Sequence, residues 1–220
     1  MKILMLIVAL VLLAGCNDTE TETAAGPPAP TPTLDQLKNM AYAGVEDQPV
    51  TLGAGAWEGA PFREDSPLRP RVNFVRDFVR TGDVDGLPGD EAVVLLGSNS
   101  GGTGEYIHLA VVGVREGKPV NLATTRLGDR VQVKSVDVVP GEVGRIRIEL
   151  VRPGPDDALC CPGEVAALHY AYQEGALTIL PVKTATHRLS LDDLAGREWV
   201  LRFWSWDEPA AAEPEVTPVS

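Results

Sequence analysis

Period-two alternation of apolar and polar residues dominates the middle of this chain. "RIRIEL" at 145–150 sets Ile146, Ile148 and Leu150 on one face and Arg145, Arg147 and Glu149 on the other, the signature of a half-buried strand. "VQVKSVDVV" at 131–139 alternates too, but its apolar phase changes around Ser135, which predicts a bulge there. Further strands are predicted at 49–52, 72–79, 92–96, 106–114, 119–125, 165–172 and 176–180. They are joined by short turn-like pieces: "REGK", "LGDR", "VPGEVG" and "YQEG". Strand runs with tight glycine-containing connections favour sequential antiparallel pairing. The expected fold is mainly β: an antiparallel meander forming a barrel or a two-layer sandwich, with a short N-terminal helix at 34–40 covering one end.

The N-terminus reads differently. "MKILMLIVALVLLAGC" has one cation, Lys2, then an apolar run too short for a permanent membrane span and suited to the core of an export signal. Its end, Leu13-Ala14-Gly15-Cys16, resembles the lipobox of bacterial lipoproteins. The resemblance implies cleavage after residue 15 and covalent diacylglycerol and N-acyl lipid, typically palmitate, on Cys16. Several acyl chains anchor a protein stably where one does not, so the expected location is the bacterial cell envelope, lipid-anchored to a membrane without spanning it. Asn17 follows the lipidated position in place of the aspartate that typically retains such proteins, which leans towards the outer membrane in a host with two membranes. Residues 16–33 then form a tether: Thr, Pro and acids without an aliphatic side chain larger than Ala, too polar to bury a core and expected to be disordered.

The formal net charge is −12, and loss of Lys2 with the signal would add one more negative unit. Nucleic acid is an unsuitable partner for such a surface, because its binding rests on Lys and Arg neutralising phosphates. Residues 34–185 suffice for one well-buried β-rich domain. Within it, "GDVDGLPGDEAVVLL" resembles the acidic calcium loops of FG-GAP repeats, with Asp83, Asp85 and Glu91 at the first, third and ninth positions. Leu87 stands where a fifth-position ligand belongs, and Pro88 replaces a flexible glycine. Calcium needs six to eight oxygens, so the expectation is a weak calcium loop or an ordinary acidic turn. "GSNSGGTGEY" lacks the residues of a phosphate loop or a nucleophile elbow and reads as a flexible connection between strands. None of the three histidines, His108, His169 and His187, has a local partner spacing that suggests catalysis, and no cofactor is expected beyond the lipid on Cys16.

Cys160 and Cys161 are adjacent in "DDALCCPGEV". Export favours disulfides, while neighbouring Cα atoms at about 3.8 Å lie below the usual disulfide separation. A vicinal disulfide and two reduced thiols both remain open. A zinc site drawn from the pair and a histidine lacks the usual gap between cysteines.

Taken together, "LKNMAY", "VTLGAGAWEG", "GDVDG" with "EAVVLL", "GGTGEYIHLAVV", "LGDRVQVKSV" and "CCP" resemble the uncharacterised domain that precedes a META domain in bacterial envelope lipoproteins. Residues 186–220 look like the truncated opening of the META domain itself, with Leu194, Gly196, Trp199 and Leu201 matching its Leu-x-Gly-x-x-Trp-x-Leu start. The resemblance implies an envelope setting and no reaction. Two functions follow as expectations: a non-catalytic binding or structural module that engages another envelope component, or a redox-responsive or metal-binding protein centred on Cys160 and Cys161.

Overall fold

The computed structural model describes residues 30–61, 63–181, 186–193 and 195. The export signal, Cys16, most of the tether and the META-like residues Leu194, Gly196, Trp199 and Leu201 lie outside the described residues. One helix, α1 (Leu34–Lys38), opens the described chain, followed by β1 (Ala41–Tyr42), β2 (Val50–Thr51), β3 (Ala56–Glu58) and β4 (Arg71–Gly82). Then come β5 (Glu91–Asn99), β6 (Tyr106–Arg115), β7 (Lys118–Asp129), β8 (Gln132–Val138), β9 (Arg145–Arg152), β10 (Glu164–Gln173), β11 (Ala176–Ile179) and β12 (Thr186–Arg188). The fold is mainly β and antiparallel, as the alternation predicts. Among the described residues no helix is long and apolar enough to cross a membrane.

Ten of these strands make two five-stranded sheets, and β1 pairs only with β2 in a two-stranded sheet. The first runs in the order β3-β4-β5-β6-β7. The second runs β11-β10-β9-β8, with β12 pairing the other end of the β10 edge that β11 occupies. Hairpins β6–β7 and β10–β11 turn on Glu116-Gly117 and Glu174-Gly175, all four at positive φ, which is the twist-matched geometry for a tight hairpin. Pairing is not sequential throughout. At "LGDR" the chain leaves the first sheet and starts the second, so β7 and β8 are not paired. The bulge expected near Ser135 is present as a register shift between Val133 and Ser135 against β9.

Two cores result. Val93, Leu95, Leu109 and Val111 of the first sheet pack on Val136, Ile146, Ile148, Leu150 and Leu168 of the second. The opposite face of the first sheet is apolar as well: Val72, Ala92, Val94, Leu96, Ala110 and Val112 lie under Leu37, Met40, Tyr42, Val50 and Leu52. The helix therefore does not close one end of the fold. With the β1–β2 hairpin it covers a sheet face, because β5 and β6 carry hydrophobic side chains on both sides and each side needs cover. A five-residue helix has little stability of its own. It is held by a capping box between Thr33 and Gln36 and by the Tyr42 hydroxyl, which donates to the Leu37 carbonyl at 2.7 Å.

Candidate functional site

The acidic turn between β4 and β5 brings together the three carboxylates read from sequence. Ligand-type atoms of Asp83, Asp85 and Glu91 lie within 4.8 Å of one another. Each already accepts hydrogen bonds from the turn's own backbone. Glu91, 3 % exposed, accepts from the backbone N–H of Val84 at 3.0 Å and of Asp85 at 3.1 Å. Asp83 accepts from Gly86 N at 2.8 Å, and Asp85 from Leu87 N at 2.9 Å, while the second Asp85 oxygen pairs with Arg115. Burial pushes the Glu91 carboxyl up, and the two backbone hydrogen bonds offset part of that. Arg115 offsets part of the turn's negative charge through Asp85, and the backbone hydrogen bonds hold the turn together.

Cys160 and Cys161 are exposed free thiols with their sulfurs 2.7 Å apart. Their loop is organised by Asp157, whose side chain accepts from Gly154 N at 2.9 Å and Gly163 N at 2.8 Å and pairs with Arg188 of β12. Those contacts hold the Asp157 carboxyl below its usual range, led by the Gly154 hydrogen bond. The hydrogen bond with Cys160 pushes the Cys161 thiol up. A raised thiol is a poorer nucleophile and a poorer metal ligand than an ordinary one, so this electrostatic setting does not activate the pair.

The third constellation escaped the sequence reading. Side chains of Ala92, Val94 and Leu96 on β5, and of Val112 and Ala110 on β6, point at the N-terminal cap. The same alternation then places Ser98 and His108 on that face, where the polarity changes. Both are 3 % exposed, and Ser98 Oγ lies 2.9 Å from His108 Nε2. Ser98, read from sequence as part of a flexible loop, belongs to a regular strand paired with Tyr106. Over this end of the sheet the chain 44–47 overhangs Ser98, Tyr106, His108 and Arg126, and together they line an open-sided cavity of about 530 Å³.

Two polar atoms in this region are buried without a hydrogen-bond partner: His108 Nδ1 and Glu46 Oε1. Native proteins rarely leave such atoms unpaired, since each costs about 1–3 kcal/mol. Burial, with Arg126 contributing, lowers His108 to about 4, so its imidazole is neutral near pH 7. Glu46 is raised, by burial first and by Asp47 second. The guanidinium of Arg126 lies over the Tyr106 ring at 5.0 Å. Ser98 and His108 have nucleophile–base spacing, yet Nδ1 lacks the orienting carboxylate of a triad and Ser98 is nearly inaccessible. The arrangement suits holding a polar ligand.

No family model, no curated protein and no solved structure matches this chain. The one signal that could have exposed the cavity is the change from apolar to polar residues along a single face, at Ser98 on β5 and at His108 on β6.

Proposed function

We propose that this protein is a lipid-anchored bacterial envelope module that binds a small polar ligand and does not transform it. The observation that carries the binding half is the open-sided polar cavity lined by Glu46, Asp47, Ser98, His108 and Arg126. A site lined by so many polar groups discriminates by hydrogen bonding, since a ligand that leaves them unpaired is rejected. The anchoring half rests on the lipobox-like Leu13-Ala14-Gly15-Cys16, with the membrane, favourably the outer one, as its first partner and another envelope component as its second. The acidic surface keeps nucleic acid off.

Each half has its own test. In cells, Cys16→Ser is expected to release the protein from membranes or to leave the precursor uncleaved; unchanged processing and attachment would refute the anchor. For binding, the dialysable small-molecule fraction of the host envelope is expected to raise the melting temperature of the purified full chain, because a ligand selective for the native state stabilises it. A melting temperature indifferent to that fraction would refute it.

A further inference from the structure

The cavity's charges are sorted. Glu46 and Asp47 stand together on the cap side, and the second of these raises the first by repulsion. Arg126 stands on the sheet, where its charge is felt by His108. Arg126 is exposed and its guanidinium lies over the Tyr106 ring, and among the described residues no ion pair joins it to either carboxylate. His108 lines the same cavity, and its imidazole carries no charge near pH 7.

Each pole asks for a complement. The neighbouring Glu46 and Asp47 carboxylates on the cap side favour a cation, and an ammonium group offers them three N–H donors. A guanidinium without a carboxylate partner presents a planar fork suited to an anionic ligand oxygen pair. A purely anionic ligand would face two carboxylates on the cap side, and a purely cationic one would face Arg126. A neutral sugar would leave both poles uncompensated. A bound metal ion is disfavoured by geometry: the ligand-type cluster of three among the described residues is Asp83, Asp85 and Glu91, not Glu46, Asp47 and His108.

We propose that the cavity takes a zwitterion of amino-acid to dipeptide size, its ammonium group against Glu46 and Asp47 and its carboxylate against Arg126. The proposal rests on the reading of this cavity as a binding site and adds the chemical class of its occupant. A volume of about 530 Å³ falls within the range of small-molecule sites and leaves room for such a molecule with ordered water.

The test is calorimetric titration of the purified full chain with alanine and alanyl-alanine, beside probes with one charge removed: N-acetyl-alanyl-alanine, alanyl-alanine amide, and uncharged glucose. A free zwitterion is expected to bind, and each blocked derivative to bind about tenfold or more weakly, the loss of one charged hydrogen-bonding group. Glu46→Gln should weaken alanyl-alanine by a similar factor while leaving the N-acetyl derivative unchanged, and Arg126→Gln should do the same with respect to the amide. Glu46 is half-buried and Arg126 exposed, so an unchanged melting temperature of the free variants is the expected control. Blocked probes binding as tightly as free ones, or glucose binding while the zwitterions do not, would overturn the assignment. Stabilisation by the envelope fraction without response to any zwitterion would sink the ligand class and leave the binding function standing. Failure of both would remove the site.

Discussion

Replacing His108 by Gln should make the protein less sensitive to acid. The folded state holds this imidazole neutral down to about 4, because it is buried beside Arg126, whereas an unfolded histidine protonates near 6.5. Between those values the unfolded chain binds more protons, so the native state loses stability as pH falls from 6.5 towards 4. The native contribution is fully present above 6.5. With these two values, linkage gives a loss of about 2 kcal/mol between about pH 7 and about pH 5 from this one residue. Glu46 and Glu91 are raised and act in the opposite sense, since their folded forms take up protons first and gain relative stability on acidification. They are present in both proteins, so they cancel in the comparison to the extent that they do not sense residue 108. Urea titrations of wild type and His108→Gln at the two pH values measure the difference directly. The variant is expected to lose about 2 kcal/mol less than wild type over the interval. Equal losses would show that His108 titrates normally, and the desolvated pocket floor would be wrong.

Three further outcomes are expected. Glu91→Ala should cost about 2–3 kcal/mol in chemical denaturation, because Val84 N and Asp85 N lose their acceptor, while calcium chelation should leave the wild-type melting temperature unchanged; a large chelator-induced drop would show that an ion completes the turn. Gly144→Ala should destabilise by about 2–3 kcal/mol, since its φ is +72° and an added Cβ would stand 2.9 Å from the Tyr172 carbonyl oxygen and 3.2 Å from that of Val84; a neutral result would mean that the turn into β9 can shift. Exposing the purified protein to oxidised glutathione is expected to join the free thiols Cys160 and Cys161, whose sulfurs stand 2.7 Å apart, as a reducible vicinal disulfide that resists alkylation until reductant is added; two thiols that stay freely alkylated would rule the closure out.

Alternation alone located most of the strands, because a sheet face that meets a core must be apolar at every second residue. Ile146, Ile148 and Leu150 are buried as their spacing demands, and the phase change at Ser135 marks a real register shift. The turn residues Glu116-Gly117 and Glu174-Gly175 were equally legible, since their conformations are local. The acidic turn could be placed from sequence, although its hydrogen bonds and its pairing with Arg115, thirty positions away, could not. What the chain does at "LGDR" was not decided locally. Continuing the first sheet and starting a second satisfy the same short segment, and the choice follows from where two separate apolar faces find cover. The cavity lies on the other face of the first sheet, beside the N-terminal cap. Ser98 and His108 lie on neighbouring strands in diagonal register, Arg126 arrives from the next strand, and Glu46 comes from a cap more than fifty residues earlier. Residue spacing carries period and turn chemistry, whereas the meeting of these four side chains depends on strand register and on the cap settling over one sheet face, which are properties of the folded molecule alone.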